Sequence, residues 1–401
     1  MSAPTTAADL GVYVHVPFCE RVCPYCDFAV EASGALDPTV EDEFVDGLLA
    51  ELDQARRALE AELADRRLAT VYLGGGTPSL LRPESVERVL VALDAAFPGP
   101  AGEVTLELNP GRLETARVPG FRAAGVTRVS VGVQSLHDDT LRRLGRAHGG
   151  DDARRGLEAC LGAGFDSVSA DLIYAAPGQG EDELLEDLAW LVDAGVPHVS
   201  AYALTVEPDT PFALAERRGQ LRLPDEDTAL RMSRRLRGLL CAAGLEQYEL
   251  SNYARRGHRS RHNQRYWLRQ SVLGLGPSAA SLVGERRFQN PRSRPEWEAG
   301  VRASTPAAGP PSGGRGSRPA QEQLSAYETR REALWLGLRR LDGVSRAAWI
   351  RRFGEPPEAR FGPELGELRG LGLIEDRAGY IRLTERGILF ADDVLLRFVG
   401  R

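Results

Sequence analysis

Three cysteines stand close together near the start of the chain. Cys19, Cys23 and Cys26 form a C-x3-C-x2-C pattern in the segment YVHVPFCERVCPYCDF. Thiolates are soft ligands that suit iron–sulfur clusters and zinc. A structural zinc site takes four ligands, and the fourth would be His15 or a distant residue, whereas a cluster that does chemistry keeps one iron free. The pattern therefore favours a 4Fe-4S cluster with three protein ligands over zinc.

A glycine-rich turn follows the second predicted strand. Gly75, Gly76 and Thr77 belong to the run GGGTP. Glycines let backbone groups approach a small ligand closely, and the same design binds phosphate groups. Taken alone, such a turn is typical of an ordinary connection after a strand, so its meaning depends on the residues that end the other strands.

Polar residues end three further predicted strands. Glu107, Gln134 and Asp171 lie at or near the strand ends, and Arg146 follows the strand that ends near Gln134. Each one alone is as well explained by a helix cap or a surface contact. Together they converge on one opening and favour a ligand with an amine, a carboxylate and a ribose. Glu107 would bind the amine, Arg146 the carboxylate and Asp171 the ribose hydroxyls.

The elements that position these residues alternate between strands and helices. Short apolar runs with β-forming residues are followed by amphipathic helical patterns at the spacing of βαβ units. The predicted strands are 12–16, 70–73, 104–108, 128–133, 167–172 and 198–203. This order predicts an α/β fold with a partial, six-stranded parallel β/α barrel, short of eight strands, whose functional residues lie on the loops after the strands.

Composition divides the rest of the chain. Residues 303–319 are rich in Pro, Gly, Ser and Arg, which predicts a flexible linker. Residues 1–302 then form the barrel with a Gly-rich extension, and residues 320–401 form a small α+β domain that resembles a winged helix. Three helical patterns followed by a strand pair, 372–374 and 380–383, are the basis for that assignment.

Charge and composition exclude some classes of function. The 401 residues carry a formal charge of −7, so the chain has no overall attraction to nucleic acid. It contains no lysine, which excludes Schiff-base chemistry. We expect a cytoplasmic protein, since neither a signal peptide nor a membrane span is evident, although peripheral membrane contact is compatible with the sequence. Cys160 and Cys241 are typical of core positions.

These motifs in combination resemble one family over nearly the whole chain. CERVCPYC, GGGTPSLL, ELNPG, SVGVQS and LGRAH are similar to the radical S-adenosylmethionine (SAM) family of oxygen-independent coproporphyrinogen III oxidases and related HemW-type heme chaperones. The resemblance implies that SAM chelates the free iron and is cleaved to a 5′-deoxyadenosyl radical. The residues that it places around SAM are Tyr13, Tyr25, Gly75, Gly76, Thr77, Glu107, Gln134, Arg146, Asp171, Thr205 and Ala280.

Two features favour the chaperone branch of this family. The oxidases carry an extension before the first strand and a further cysteine just after the cluster motif, whereas here twelve residues precede Tyr13 and Phe28 stands two positions after Cys26. The resemblance therefore implies a protein that binds heme and delivers it to acceptor hemoproteins, uses an electron donor and lacks the oxidase activity. The alternative is the oxidase, which converts coproporphyrinogen III to protoporphyrinogen IX.

A histidine far along the chain is a candidate heme ligand. His262 begins the sequence HNQRYW, which matches the HNxxYW motif of heme chaperones, and a neutral imidazole is a good axial ligand to heme iron. Nearby arginines 255, 256, 259 and 261 would pair with the propionates. A second interpretation is that His262 and Asn263 tie a loop to the barrel. The chain also lacks a histidine typical of chaperones at Ala280, and YAAPGQ departs from the usual GLPGQ pattern.

Overall fold

A computed structural model describes residues 9–303 and 320–399. Residues 304–319 of the predicted linker lie outside the described residues. Residue 303 ends a helix.

The first part of the chain alternates strands with helices. Its strands are β1 (Asp9–Val16), β2 (Phe18–Cys19), β3 (Glu31–Ala32), β4 (Arg67–Gly75), β5 (Val104–Leu108), β6 (Arg128–Gln134), β7 (Ser167–Tyr174) and β8 (His198–Ala203). Its helices are α1 (Pro38–Ala58), α2 (Glu60–Leu63), α3 (Pro83–Ala96), α4 (Arg112–Ala123), α5 (Asp138–Arg143), α6 (Gly150–Gly162) and α7 (Glu181–Asp193), with a short 3-10 helix at Pro78–Leu80.

The later elements are shorter. They comprise α8 (Pro211–Arg217), α9 (Glu226–Ala242), β9 (Glu246–Gln247), β10 (Asn252–Ala254), α10 (Arg261–Trp267), β11 (Val272–Leu275), β12 (Ala280–Val283), β13 (Arg286–Gln289) and α11 (Arg294–Ala303). After the gap follow β14 (Ala320–Gln323), α12 (Ala326–Leu338), β15 (Val344–Ser345), α13 (Arg346–Phe353), α14 (Glu358–Gly370), β16 (Ile374–Arg377), β17 (Tyr380–Leu383), α15 (Glu385–Leu389) and α16 (Ala391–Leu396).

The six predicted strands, together with β11, form the continuous parallel part of the main sheet. β1, β4, β5, β6, β7 and β8 are neighbours in that order, and each adjacent pair is parallel. The expectation of a sheet with six strands is wrong in number, because the described sheet has twelve. β11 pairs parallel to β1 and continues into antiparallel β12, β13 and β14, and β10 and β9 cover the other edge. These added strands have two to four residues each, too few to produce a readable hydrophobic period.

The hydrophobic side of the main sheet packs against the helices. Val12, Val14 and Val16 of β1 are fully buried, as are Phe44 and Leu48 of α1 to within one per cent. These residues belong to one large hydrophobic core together with the apolar positions of β4 to β8. The other side of the same strands is therefore left to form the interior of the partial barrel.

The last part of the chain has its own core. Leu334, Leu338, Phe361, Leu365 and Ile381 belong to a second buried cluster around the three-stranded sheet β15-β17-β16. This arrangement confirms the predicted small α+β domain of winged-helix type. β14, which the predicted boundary at residue 320 assigns to this domain, pairs instead with β13 of the main sheet. The exact division between the domains stays a prediction.

Across the described ranges 9–303 and 320–399, no helix has both the length and the apolar character needed to cross a membrane.

Candidate metal and cofactor site

The cysteine loop is closed at its base by backbone pairing. β2 and β3 are parallel, with Cys19 opposite Ala32. The Glu31 amide donates to the Pro17 carbonyl at 2.8 Å. Between these anchors the Cys26 amide donates to the Cys23 carbonyl at 3.1 Å. This hydrogen bond closes a short turn that contains both cysteines. The loop thus presents all three cysteines, each half-buried, at the carboxyl end of β1.

His15 holds this loop and does not act as a fourth ligand in this arrangement. Its Nε2 lies 2.9 Å from the Ala29 carbonyl oxygen, and its Nδ1 lies 3.1 Å from the Tyr13 hydroxyl. Burial lowers the pKa of His15, so the ring is neutral at pH 7. Both nitrogens are engaged within the chain, which removes His15 as the fourth ligand that a zinc site would need.

The glycine turn lies directly against the cysteine loop. The Gly76 amide donates to the Val16 carbonyl at 2.8 Å. A Cβ atom at Gly76 would lie 2.6 Å from the Phe18 carbonyl oxygen and 3.0 Å from the Cys19 Sγ, so no other residue fits there without movement. Gly75 has a φ of +110°, which also favours glycine. The turn therefore allows the end of β4 to approach the cysteines.

A chain of side-chain hydrogen bonds connects two of the thiols. The Thr77 hydroxyl donates to Cys19 Sγ at 3.7 Å and accepts from Asn109 Nδ2 at 2.8 Å. Asn109 Oδ1 in turn accepts from Nη2 of Arg146, whose Nη1 donates to Cys23 Sγ at 3.5 Å. Residues that follow β4, β5 and β6 thus reach the cysteine loop together.

The three thiols suit an iron–sulfur cluster. Burial raises the pKa of Cys19 to about 11 and also raises that of Cys26, and the neighbouring thiols add to both shifts. Within the described residues, no three His, Cys, Asp or Glu side chains converge on the position of a single ion. A cubic cluster takes one cysteine on each of three irons, so its ligands need not converge in that way. Three soft donors without a fourth fit such a cluster, whose assembly would release the thiol protons.

Glu107 is a buried carboxylate at the end of β5. Its Oε1 accepts from the Tyr72 hydroxyl at 2.7 Å, and its Oε2 accepts from the Gly75 amide at 3.0 Å. Burial raises the pKa of Glu107 to about 7, and the nearby carboxylate of Asp171 adds to the shift. A cation placed here would favour the ionised form and recover that electrostatic cost.

Asp171 is held by a group of serines. Its carboxylate accepts from the Ser130 hydroxyl at 2.9 Å and from the Ser169 hydroxyl at 3.2 Å. Burial raises the pKa of Asp171, and the hydroxyl groups partly offset this effect. The side chain lies on the same inner face as Glu107 because β5, β6 and β7 are in register.

The inner face of the barrel is polar over its whole height. Every second residue of five consecutive strands faces inward, and buried parallel sheets usually carry apolar residues on both faces. These inward positions are Thr70, Tyr72 and Gly74 on β4, Thr105 and Glu107 on β5, Arg128, Ser130 and Gly132 on β6, Ser167, Ser169 and Asp171 on β7, and His198, Ser200 and Tyr202 on β8. This alternation is readable in the sequence and would have identified Tyr72, Ser130 and Ser169, which the sequence analysis missed.

The remaining predicted SAM residues lie around the same opening. Tyr13 faces the interior beside Tyr72, with ring centroids 6.1 Å apart. Tyr25 lies on the cysteine loop, 3.5 Å from Arg146. Gln134 ends β6 with a φ of +63°. The structure places Thr205 two residues beyond β8 and Ala280 at the start of β12, and both are exposed at the loops of that edge.

His262 lies inside the barrel and not at its surface. It is fully buried, its Nδ1 lies 2.9 Å from the Thr70 hydroxyl, and its Nε2 lies 3.2 Å from the Tyr266 hydroxyl. The Glu103 carboxylate accepts from the His262 amide at 2.8 Å. Burial lowers the pKa of His262 to about 3. The heme contact predicted for His262 stays a prediction, and this geometry supports the second interpretation, in which the motif ties a loop to the barrel.

The rest of that motif also holds the amino ends of strands. Arg265 is buried and donates from Nη2 to the carbonyl oxygens of Asp9 at 2.6 Å and Ser271 at 3.2 Å. These residues lie at or just before the starts of β1 and β11, opposite the cysteine loop. α10 therefore closes the barrel at the end away from the candidate cluster.

Comparison with known proteins agrees with the geometry over the whole chain. The Radical SAM superfamily matches residues 13–191, and the HemN C-terminal domain matches residues 324–390. The chain is 37% identical to the heme chaperone HemW of Mycobacterium tuberculosis over 402 residues, which cover 99% of this chain and 97% of that protein. It belongs to the HemW family. This finding confirms the resemblance and its chaperone branch.

Two further matches extend the HemW assignment. The chain is 34% identical to heme chaperone HemW of Escherichia coli, with 98% of each protein covered. The solved structure of the E. coli coproporphyrinogen III oxidase HemN matches with a TM-score of 0.80 at 21% identity, covering 98% of this chain and 90% of that one, which shows a shared fold. For this HemW-family chain, the radical SAM superfamily implies a 4Fe-4S cluster and SAM.

Proposed function

We propose that this chain is a heme chaperone, which binds heme and delivers it to acceptor hemoproteins. In this proposal Cys19, Cys23 and Cys26 hold a 4Fe-4S cluster, and SAM binds at the free iron. An electron donor would reduce the bound cluster. The relatives that match nearly the full chain bear the name heme chaperone HemW, which supports the assignment of heme as cargo.

One observation carries the choice of the chaperone over the oxidase. Phe28 occupies the position two after Cys26, and its side chain is 62% exposed beside the cysteine loop. The oxidase branch would have a further thiol there. An exposed phenyl ring offers an apolar contact and no redox chemistry, so the loop is suited to holding a cluster without that additional group.

Within the proposed site, each residue has a defined task toward SAM. A cluster bound by Cys19, Cys23 and Cys26 would supply the electron that breaks the sulfonium bond of SAM. Glu107 accepts the methionine amine, whose positive charge favours the ionised carboxylate. Asp171, already surrounded by hydroxyl donors, accepts the ribose hydroxyls. Gly75 and Gly76, whose amides are already bonded to Glu107 and Val16, allow close approach of SAM. The side chains of Tyr13, Tyr25, Thr77, Gln134, Thr205 and Ala280 complete the binding surface.

Arg146 has two possible partners in this proposal. Its guanidinium is buried, and its Nε has no hydrogen-bond partner among the described residues. A carboxylate would satisfy this donor in a charge-assisted pair, which supports the assignment of Arg146 to the methionine carboxylate. Its bond to Cys23 makes it equally a support for the cysteine loop.

The proposal is tested by two assays on anaerobically reconstituted protein. Titration with heme, followed by absorbance, should show saturable binding and transfer to an apo-hemoprotein. Incubation with reductant, SAM and coproporphyrinogen III should yield no protoporphyrinogen IX. Formation of that product would establish the oxidase and overturn the chaperone assignment.

The proposal extends to partners and location. We place the protein in the cytoplasm, with heme as its partner and no nucleic acid, since the chain is acidic overall. Residues 1–302, 303–319 and 320–401 are proposed as barrel, linker and C-terminal domain. Peripheral membrane contact is compatible with this proposal and would bring the protein near membrane hemoproteins.

A further inference from the structure

The C-terminal domain has an open apolar cleft beside the core residue Leu373. It is lined by Leu371, Phe390, Leu396 and Val399, whose side chains are 44–63% exposed. The cleft has a volume of about 580 Å³. Ligand sites of small molecules fall in the range of roughly 300–1,000 Å³. Exposed apolar side chains concentrated in one place indicate a binding surface.

Two arginines stand along one wall of this cleft. Nη1 of Arg386 donates to the Leu371 carbonyl at 3.1 Å. Nη2 of Arg397 lies 3.1 Å from the Glu367 carboxylate. Leu371 and Glu367 are four residues apart at the end of α14, so the two anchoring points are about 6 Å apart along the helix. Both guanidinium groups are therefore held near the carboxyl end of α14.

The lining places two arginines beside the apolar residues. Arg386 and Arg397 line the cleft with one carboxylate, Asp393, and Arg397 is also paired with Glu367, which does not line it. A carboxylate of a ligand could pair with Arg386 directly and with Arg397 in place of Glu367. A flat apolar ring with two carboxylates on one edge matches this surface. Heme has that chemistry, with its two propionates.

The lining also predicts how such a ligand is bound. Among the described residues, no His, Cys, Met or Tyr lines the cleft. The usual axial ligands of heme iron come from those residues. A tetrapyrrole held here would be recognised through its ring and propionates, and its iron would contribute little.

We propose that this cleft is the porphyrin-binding surface through which the chain holds its heme, an inference that rests on the proposed chaperone function. Phe390 and Leu396 contact the macrocycle. Arg386 and Arg397 pair with the propionates. Binding by ring and propionates leaves the iron open to an acceptor's axial ligand, which suits a protein that hands heme on.

The test uses full-length reconstituted protein and titrates heme and metal-free protoporphyrin IX separately. Leu396→Gln and Arg397→Gln alter exposed side chains of the cleft. Matched controls are Leu113→Gln, since Leu113 is 48% exposed on α4, and Arg235→Gln, since Arg235 is 49% exposed and paired with Glu181. We expect Leu396→Gln to weaken both ligands about tenfold and Arg397→Gln severalfold, with both controls unchanged. Unchanged unfolding temperatures would show that the variants are folded.

Other outcomes separate this inference from the function on which it rests. Absence of heme binding by the wild-type chain contradicts the proposed function itself. Wild-type heme binding that neither cleft variant weakens leaves the function standing and overturns the cleft. Binding of heme without binding of protoporphyrin IX also overturns it, because an iron ligand elsewhere would then dominate. Loss of heme transfer with intact porphyrin affinity would assign the cleft to the acceptor protein instead.

Discussion

Arg146 donates a hydrogen bond from Nη1 to the Sγ of Cys23 across 3.5 Å. Its second terminal nitrogen is held by Asn109, which also holds the Thr77 hydroxyl that donates to Cys19. Gly132 permits this approach, because a Cβ there would lie 2.9 Å from Asn109 Oδ1 and 3.2 Å from Arg146 Nη2. The ends of three strands thus set the environment of two thiols.

This connection predicts that Thr77 tunes the cluster. Hydrogen bonds to cysteine sulfur stabilise the additional negative charge of a reduced cluster and raise its potential. Thr77→Val keeps the side-chain shape and removes the donor to Cys19, so the midpoint potential should become more negative. Redox titration monitored by electron paramagnetic resonance measures it. Thr105→Val is the control, since the buried Thr105 hydroxyl has no partner among the described residues. Equal potentials in both variants would refute the role of Thr77.

Serine variants of the five cysteines should form two groups that differ in the iron content of the reconstituted protein. Cys19→Ser, Cys23→Ser and Cys26→Ser each remove a proposed ligand and should lose most of the iron and sulfide after anaerobic reconstitution. Cys160 is buried in the hydrophobic core, whereas Cys241 is exposed on α9, so the expectation of a core position is wrong for Cys241. Neither lies on the cysteine loop, and Cys160→Ser and Cys241→Ser should keep full iron content. Retention of the cluster by any variant of the first group would show that this cysteine is not a ligand.

Glu107 should make stability fall as the pH rises. Its pKa is about 7 in the folded chain and 4.5 as an ordinary value, so the folded state holds the proton more tightly. The stability from this group is complete below pH 4.5 and is lost as the pH rises through 7. Relative to wild type, Glu107→Gln should therefore gain up to about 3 kcal/mol between pH 4.5 and 8 in the free energy of unfolding in urea, without SAM. If the free energy of unfolding of the variant differed from that of wild type by the same amount at every pH in this range, the raised pKa of the buried Glu107 would be contradicted.

His262 should make the stability of the fold increase as the pH rises. Its pKa is lowered to about 3 from 6.5, so the stability from the neutral ring is present above pH 6.5 and is lost as the pH falls toward 3. His262→Gln loses the contacts with Thr70 and Tyr266 and should be less stable at pH 7 by about 1–3 kcal/mol. That deficit should shrink at pH 5 in urea unfolding. Unchanged stability with lost heme binding would instead establish His262 as a heme ligand.

Sequence patterns predicted most of the central sheet and its chemistry. The spacing of Cys19, Cys23 and Cys26 indicated a loop with three ligands, and the strand ends at Glu107 and Asp171 were placed on the correct face because strand direction and alternation are local properties. The edge strands β9 to β14 were not predicted, because their short sequences pair only after the main sheet exists. Their place depends on tertiary contacts that no local pattern encodes.

Side-chain partners were harder to predict than side-chain location. Asn109 entered the sequence analysis only as part of the ELNPG motif, whereas the structure shows it between Thr77 and Arg146. His262 matched a motif whose chemistry suggests a ligand, yet its partners are Thr70 and Tyr266, which lie 192 and 4 residues away in sequence. Such pairings are set by the register of packed elements, and a sequence motif does not specify that register.

The most direct test of the cluster with one open iron is electron paramagnetic resonance of the anaerobically reconstituted, reduced protein with and without SAM. We predict a 4Fe-4S signal whose g values change when SAM is added, because SAM would bind the iron that lacks a cysteine. The same reduced-cluster signal with and without saturating SAM would contradict this account.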